Sequence, residues 1–295
     1  MKSLLTPFPY HGAKNRHAPD VWDRLGADSQ VYAEPFAGSL GVLLGRPDTT
    51  TLLHEIINDK DGHVANFWRA VKEVPREVAH YADRPATDQD IRARIQHLQR
   101  WSHRNNDAIN IDPEYYSAQA AGYWVYLKAS VVAHRITYSR PSAFYGGIHR
   151  RDINIAAWME LLATRLRHVK VLAGDWSAAV TPSMLQVARM KPPFAVFLDP
   201  PYVTHERNNT LYKSDLEGDS DQVAAEAYRW AIEHGDNPDY RIAYCCHAGD
   251  FVIPEDWTCE EYSIAGIQRE DRRHRTDLIM FSPHCIDPSP ALFDE

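Results

Sequence analysis

The sequence predicts an α/β fold, in which a doubly wound sheet is interrupted by a helical insertion. Short apolar runs that are bounded by turn residues alternate with segments whose apolar residues recur at helical spacing. This alternation is regular in the first 74 residues and again after residue 152, as in doubly wound sheets. Between these limits the pattern is almost entirely helical. We therefore predict a core made of residues 1–74 and 153–295, and a mostly helical module at residues 75–152.

The first part of the core contains two strands, each followed by a helix. An amphipathic helix with Val21 and Trp22 on its apolar face precedes the first strand, and this strand leads into a turn that contains glycines. The predicted elements are a helix within residues 16–25, a strand at 31–34, a turn at 35–41 with a helix through 42–44, a strand at about 52–59 and a helix spanning 64–71.

The insertion is predicted to contain two helices that are separated by a polar break. Thr87 provides a capping signal before an apolar face that begins at Ile91. A second helix spans residues 120–127, and residues 102–113 between the two helices are mostly polar. An ordinary crossover between parallel strands needs far fewer residues than this segment contains, which is why we predict a separate module.

The second part of the core adds five strands and a long helix. Most of the strand segments are short and apolar, which favours strands over helices. The strands are predicted at residues 169–173, 194–198, 241–246, 258–264 and 276–281, with a helix beginning after Ser220.

The composition excludes some classes of protein. The 295 residues are 44% hydrophobic and 24% charged, as in an ordinary globular protein. No apolar stretch approaches the roughly 18 residues of a membrane span, and the start lacks the apolar region of a signal peptide, so we expect a cytoplasmic protein. A net charge of −8 argues against non-specific coating of nucleic acid. The four cysteines show no CxxC spacing, which favours core thiols over a metal site, although His247 and His284 beside cysteines leave opportunistic metal binding open.

One segment departs from this acidic average. No acidic residue occurs from Tyr126 to Arg151, where positive residues and aromatic rings are interleaved. Such a composition suits phosphate neutralisation together with contacts to bases, and a solvated loop is the alternative interpretation. The candidate nucleic-acid-binding residues are Lys128, Arg135, Tyr138, Arg140, Arg150 and Arg151.

The most informative motif follows the strand predicted at residues 194–198. It consists of Asp199, Pro200, Pro201 and Tyr202. The prolines end the strand and leave backbone carbonyl groups without ladder partners. An acid, an unpaired carbonyl and an aromatic ring thus meet at the carboxyl end of a strand, where open α/β sheets bind ligands. This corner can hold a flat base by its exocyclic amine, and a plain exit from the strand is the alternative.

Other strand ends also carry candidate binding residues. The turn containing Gly38 and Gly41 lets a ligand approach the backbone and favours an anion, either a pyrophosphate or an amino-acid carboxylate, although it is not the GxGxxG fingerprint. Asp59 can accept hydrogen bonds from ribose hydroxyls or cap a helix, and Glu55 on the same strand is the second choice. Asp175 can meet an adenine amine or a ligand's ammonium group, or cap a helix.

Four motifs occur in an order and at spacings that match a known family. They are Tyr10-His11-Gly12-Ala13-Lys14, Glu34-Pro35-Phe36-Ala37-Gly38, Ile57-Asn58-Asp59 and Asp199-Pro200-Pro201-Tyr202. Together they resemble the Dam-like group of DNA adenine-N6 methyltransferases over nearly the whole chain. The resemblance implies a Rossmann-like core that uses S-adenosylmethionine, and an insertion that serves as the target-recognition module. One departure is that members often have Gly-x-Gly after the phenylalanine, whereas the second glycine here lies one position later, at Gly41.

The resemblance also assigns roles to single residues. Tyr10 and Lys14 match positions that contact the cofactor, and Asp59 matches the ribose-binding acid. Asp199 opens the catalytic motif and also lies close to the cofactor. The turn that holds the methionine end of the cofactor is matched by Glu34, Phe36 and Gly38.

The predicted function is the transfer of a methyl group from S-adenosylmethionine to a flipped-out adenine in double-stranded DNA. Asp199 and the Pro200 carbonyl would accept the two hydrogens of the amine while Tyr202 stacks on the base. We expect a monomer or weak dimer, with or without a cognate restriction nuclease. The alternatives are a methyltransferase for RNA, cytosine N4 or a protein amide, and a catalytically silent DNA-binding regulator. A nicotinamide dehydrogenase is disfavoured because its glycine fingerprint is absent.

Overall fold

A computed structural model of the chain describes residues 6–10, 12–47, 54–84, 87–130, 154–186, 190–203, 220–262 and 276–287. Within these residues the chain forms one seven-stranded sheet. The strands are β1 Val31–Glu34, β2 His54–Asp59, β3 Val169–Ala173, β4 Phe194–Leu198, β5 Tyr240–His247, β6 Thr258–Tyr262 and β7 Asp277–Phe281. Their order across the sheet is β3-β2-β1-β4-β5-β7-β6.

The strand order reverses between β1 and β4. Strands β1 to β5 are parallel to one another, and β7 is antiparallel to both β5 and β6. In the centre of the sheet Ala33 lies between Ile56 and Val196, so the carboxyl ends of β1, β2 and β4 are neighbours. Open α/β sheets bind ligands at such a reversal. The predicted α/β class is confirmed.

The described helices lie on both faces of the sheet. Along β1, Tyr32 packs into one apolar layer, while Val31 and Ala33 pack into the other, as expected for alternating side chains. A 3₁₀ turn, Trp176–Val180, belongs to the second layer. The helices are α1 Ala18–Leu25, α2 Gly41–Leu44, α3 Gly62–Glu73, α4 Pro75–Ala82, α5 Asp88–Ile111, α6 Ala118–Ser130, α7 Ile155–Leu166, α8 Pro182–Leu185 and α9 Ser220–Gly235.

Helices α4 to α6 pack on the core instead of standing apart from it. Phe8, at the start of the described chain, contacts Phe67 of α3 and Trp124 of α6, with ring centroids 5.4 and 4.7 Å apart. The buried Arg69 of α3 donates to the carbonyl oxygens of Ile109 and Val171, and so links α5 to β3. The segment is helical as predicted up to residue 130, and its role as a separate recognition module stays a prediction.

One predicted boundary is wrong. The polar break expected from residue 102 does not begin there, because α5 continues to Ile111. The Thr87 hydroxyl accepts a hydrogen bond from the Asp90 amide, as its capping signal predicts. Trp101 and Ile109 are buried, whereas the mostly polar residues 102–108 between them are exposed or half-buried. This long helix therefore keeps an apolar stripe through a mostly polar sequence.

The strand predictions agree closely with the structure. The strand expected from about residue 52 starts at His54, and the strand expected to reach residue 264 ends at Tyr262, with the remaining positions of each outside the described residues. In the part of the chain that the structure covers, no helix combines the length and apolarity needed to cross a membrane.

Candidate active site

The acid–proline corner lies at the reversal of strand order. Asp199 follows the last residue of β4, and its side chain is 20% exposed. The buried Lys14 reaches it from the amino-terminal segment, where Nζ donates to Asp199 Oδ1 at 3.1 Å and Oδ2 at 3.2 Å. The same ammonium donates to the Gly12 carbonyl oxygen at 2.8 Å. Two predicted site residues that are 185 positions apart are thus brought together.

Lys14 and Asp199 form a charged pair in a partly dry site. Burial lowers the pKa of the Lys14 ammonium, but the nearby acidic groups, with Asp199 the foremost, together raise it by more, so that its pKa lies above the usual value. The ammonium therefore keeps its proton and fixes the carboxylate in place. A carboxylate has about four acceptor positions, so the contacts with Lys14 leave it able to accept further hydrogen bonds.

Tyr202 lies between two other side chains of the site. Lys14 Nζ lies 5.1 Å from the centroid of its ring, within the range of a cation–π contact. The His247 ring packs edge-on against it, with centroids 4.4 Å apart and an interplanar angle of 76°. His247 Nδ1 lies 2.8 Å from Oδ1 of the buried Asp277. Asp277 carries no sequence signal of a site residue, and His247 stands out in the sequence only as the neighbour of a cysteine.

The glycine turn after β1 has an unusual backbone. Gly38 has φ +45°, and a Cβ atom there would lie 2.7 Å from the Tyr10 ring, so the close approach requires glycine. Leu40 has φ 56°, a left-handed conformation that is rare for a leucine. Leu40 stands where family members often have their second glycine. The left-handed backbone at this position explains a preference for glycine there.

Asp59 holds this turn against β2. Its Oδ2 accepts from the Gly38 amide at 2.9 Å, and its Oδ1 accepts from the Asp61 amide at 2.8 Å. Burial and the neighbouring Asp61 raise the pKa of Asp59 to about 7. The alternative in which Asp59 caps α3 is wrong, because the capping residue is Asp61, which accepts from the His63 amide.

Glu34 ends β1 and lies behind the turn. It is 2% exposed and accepts hydrogen bonds from the Tyr32 hydroxyl at 2.8 Å and from the Leu43 amide at 3.1 Å. Burial raises its pKa to about 8. Glu34 therefore braces the start of α2, and its predicted part in holding a cofactor stays a prediction.

Phe36, which follows β1, packs on Trp176, the residue after Asp175 at the end of β3. The Phe36 ring stacks on Trp176, with centroids 5.8 Å apart and planes inclined by 23°. Asp175 caps the 3₁₀ turn by accepting from the Ser177 amide at 2.9 Å, which confirms the capping alternative. A ligand contact by the same carboxylate stays a prediction.

Glu55 is occupied by structural partners. It is 2% exposed and is the second of the six residues of β2, far from the carboxyl end of the strand. Arg165 donates to its two oxygens at 2.6 and 2.8 Å, and Arg46 donates to Oε1 at 3.1 Å. The two guanidinium groups leave the carboxylate no exposed face for a ribose, so Glu55 is no longer a candidate.

Lys128 is the one predicted DNA-binding residue that falls within the described ranges. Its ammonium lies 5.7 Å from the Tyr10 ring centroid and 5.5 Å from that of Trp124. Burial lowers the pKa of Lys128, while Asp61 and Asp59 oppose this shift. Lys128 thus lies beside the predicted cofactor residues, and its contact with DNA stays a prediction. The other five candidates, Arg135, Tyr138, Arg140, Arg150 and Arg151, lie outside the described residues.

The comparisons with known proteins point to one family. A model of the D12 class N6 adenine-specific DNA methyltransferase family matches residues 10–235, well over half of the chain. The matched range begins at Tyr10, includes Lys14 and the glycine turn, and extends past Tyr202 to the end of α9. A search of curated proteins gave no match.

Proposed function

Since this chain belongs to the D12 class N6 adenine-specific DNA methyltransferase family, we propose that its acid–proline corner methylates an adenine flipped out of duplex DNA. Family membership confirms the predicted reaction, S-adenosylmethionine-dependent methylation of adenine N6 in DNA, and supports none of the alternative activities. The proposal concerns the residues that carry out this reaction and the form of DNA that they accept.

The observation that carries the proposal is the contact between Lys14 and Asp199 at the reversal of strand order. The lysine fixes both oxygens of the carboxylate, at 3.1 and 3.2 Å, next to the crevice where such sheets bind ligands. Pro200 follows beyond Leu198, the last ladder residue of β4, so its carbonyl is available to a ligand. Two acceptors are thus placed at neighbouring positions of a rigid corner.

These acceptors suit an exocyclic amine. The lone pair of an adenine amine is delocalised into the ring, and the amine is therefore a weak nucleophile. When the Asp199 carboxylate and the Pro200 carbonyl accept its two hydrogens, the nitrogen becomes more pyramidal and its lone pair is directed away from the ring plane. S-adenosylmethionine supplies an electrophilic methyl group on a sulfonium centre. Alignment by the corner then provides much of the rate enhancement.

Tyr202 offsets part of the cost of flipping. Extruding a base from duplex DNA costs a few kcal/mol. Stacking on an aromatic ring returns about 1–3 kcal/mol per base. Lys14 and His247 contact the Tyr202 ring and hold it next to Asp199, so a base that accepts the stacking contact also presents its amine to the carboxylate.

The residues at the other strand ends fit the cofactor. Asp59 is partly exposed at the end of β2, and each oxygen that binds a backbone amide keeps a lone pair for a ribose hydroxyl. The left-handed Gly38, packed against Tyr10, has no side chain in the way of a ligand, so a carboxylate such as that of methionine can approach the backbone of the turn. Phe36 supplies an apolar surface next to this turn. These features support a site for both ends of S-adenosylmethionine, with the ribose at Asp59 and the methionine carboxylate at the glycine turn.

A basic face on α5 supports duplex DNA as the substrate. From Ile91 to Asn106 the helix has four arginines, two histidines and no acidic residue, although the whole chain has a net charge of −8. The middle of α5 lies near the carboxyl edge of the sheet, because Trp101 packs 5.1 Å from His63 at the start of α3. The exposed basic residues are Arg92, Arg100, His103 and Arg104.

The arginines of this face have a measurable signature. If Arg100 and Arg104 each neutralise one phosphate, replacing both with alanine reduces the slope of log K against log salt by about 2. Arg229→Ala, on the exposed side of α9, is the matched control and should leave the slope unchanged. An unchanged slope in the double variant would mean that the duplex does not contact this face.

The proposal is tested with labelled S-adenosylmethionine and plasmid DNA that lacks adenine methylation. We expect label in N6-methyladenine after digestion of the duplex, and much less when the strands are separated or replaced by RNA. Asp199→Ala should remove this transfer, whereas Asp239→Ala, at the opposite edge of the sheet, should retain it. Equal labelling of single strands would contradict the duplex substrate, and an active Asp199→Ala protein would contradict the assigned corner.

A further inference from the structure

The carboxyl end of β5 contributes a second layer of side chains behind the acid–proline corner. His247 is the last residue of β5, and it pairs in register with Asp277, the first residue of the antiparallel β7. The Asp277 side chain is 6% exposed and the His247 side chain 23%. The buried carboxylate fixes the imidazole at one edge of its ring, at Nδ1, and the ring also contacts Tyr202 of the site.

The two side chains form an electrostatic pair. Nδ1 of His247 lies 2.8 Å from Oδ1 of Asp277, although the contact is outside the angular limits of a hydrogen bond. The His247 backbone amide is separately bound by the Asp250 side chain at 3.3 Å. The imidazole is therefore held from β7, and its backbone from the following turn.

The imidazole meets only one aromatic ring among the described ring contacts, that of Tyr202. At 4.4 Å and 76°, the edge-on geometry is favourable for aromatic pairs and restricts rotation of the phenol ring. Lys14 approaches the same ring at 5.1 Å. Tyr202 is thus restrained by one side chain that also binds Asp199, and by a second that belongs to another part of the sheet.

We propose that His247, held by Asp277, is a positioning residue that fixes the Tyr202 ring for stacking on the extruded base. The inference rests on the proposed stacking role of Tyr202. The pair acts before methyl transfer, by reducing the freedom that Tyr202 must lose when the base arrives. His247 needs no contact with the base, the amine or the cofactor.

The test compares four variants of the full-length protein on two duplexes, once methylated DNA has been sequenced to identify the target site. Methyl transfer is measured on the duplex with adenine at that site. Base flipping is measured by fluorescence on the same duplex with 2-aminopurine there, which lacks the N6 amine and is not methylated. His247→Ala should lower kcat about 10- to 100-fold and decrease the fluorescence gain on binding, because misplacing a stacked group by about an ångström has an effect of that size. Its KM for S-adenosylmethionine should stay within about twofold of the original value. His247→Phe, which restores an aromatic edge, should recover most of both signals.

The remaining variants test separately the contact between His247 and Asp277 and the stacking role of Tyr202. Asp277→Asn keeps the packing but removes the charge, and should give a smaller decrease in kcat and in fluorescence than His247→Ala. Wild-type kcat and fluorescence in His247→Ala would overturn the inference. So would a loss that His247→Phe does not rescue and that comes with a raised KM for S-adenosylmethionine, because that pattern indicates a structural role. Tyr202→Ala is the fourth variant, and full activity in it would reject the proposed function itself.

Discussion

Two carboxylates, one on a central strand and one just beyond another, differ in whether they can bind a ligand. Glu55 lies near the amino end of β2, is 2% exposed, and has both oxygens bound by the guanidinium groups of Arg46 and Arg165. Asp199 lies just beyond β4, is 20% exposed, and is bound by the Lys14 ammonium. Both are ion-paired within the core, yet only one can accept a ligand.

The difference teaches that charge pairing and burial do not by themselves mark a functional site. The arginines around Glu55 also bind backbone carbonyls, Arg165 that of Leu43 and Arg46 that of Ser29, so the network joins β2 to α2 and α7. The oxygens of Glu55 accept hydrogen bonds from these two arginines, within the protein. At Asp199 the strand has ended, acceptor positions remain, and the partner lysine also contacts Tyr202. Residual capacity at a strand end distinguishes the site.

The largest effect is expected from removing the open carboxylate. Asp199→Ala should lower kcat by at least about 10²–10³-fold, as for the loss of a single preorganised electrostatic contact at a reacting group. The variant should also lose stability, because the buried Lys14 keeps its contact with the Gly12 carbonyl but loses its counter-charge. Activity is measured as methyl transfer per folded molecule, and stability by urea unfolding.

Asp199→Asn refines this prediction. The amide oxygen still accepts one hydrogen from the amine, while the negative charge that compensates Lys14 is lost. We expect activity between those of Asp199→Ala and the original protein. Activity equal to the original in Asp199→Asn would show that geometry alone is needed and that the charge of the pair is dispensable.

Removing the charge of the closed carboxylate, Glu55, should lower stability and leave methyl transfer unchanged. Glu55→Gln leaves the buried Arg46 and the partly exposed Arg165 without their counter-charge, and breaking a buried pair typically costs about 3–5 kcal/mol. Methyl transfer per folded molecule should be unchanged. A catalytic loss in Glu55→Gln without a loss of stability would contradict the division between the two regions.

The sequence predicts these two regions unequally. Strand ends such as Asp199 are recognisable because an apolar run stops at a proline, so local signals locate them. Position along the strand ranks Asp59 above Glu55, but the arginine that closes Glu55 could not be predicted, because Arg165 is 110 positions away from it. The pair of His247 and Asp277 escaped notice for a similar reason, since only antiparallel pairing of β5 with β7 joins them. Long-range pairing carries information that periodicity does not contain.

Glu34 provides an intermediate case, a buried carboxylate whose hydrogen-bond donors are the neutral Tyr32 hydroxyl and Leu43 amide. Its pKa is raised to about 8, so the folded protein binds its proton more tightly than the unfolded chain does. Stability should therefore fall as the pH rises from about 4.5 toward 8, by roughly a few kcal/mol, and then level off. Asp59, with a pKa raised to about 7, contributes in the same direction.

Glu34→Gln should flatten this decrease, because an amide oxygen accepts the same two hydrogen bonds without ionising. Unfolding free energies measured at several pH values between 5 and 9 test the prediction. Asp59→Asn is a comparison in which the remaining decrease should shift toward pH 8. A stability curve that is unaffected by Glu34→Gln would mean that Glu34 has an ordinary pKa in the folded protein.

The smallest effect concerns Leu40, which combines a fully buried side chain with a left-handed backbone. That backbone costs about 1–2 kcal/mol for a residue with a Cβ atom, and burial of the side chain offsets the cost. Leu40→Ala loses the burial but keeps the strain, whereas Leu40→Gly loses both. Glycine should therefore be more stable than alanine here by about 1 kcal/mol, the reverse of their order in ordinary helix or strand positions. Alanine equal to or better than glycine would show that the turn relaxes. In that case the left-handed backbone at Leu40 stores no strain, and strain next to the site does not shape the turn.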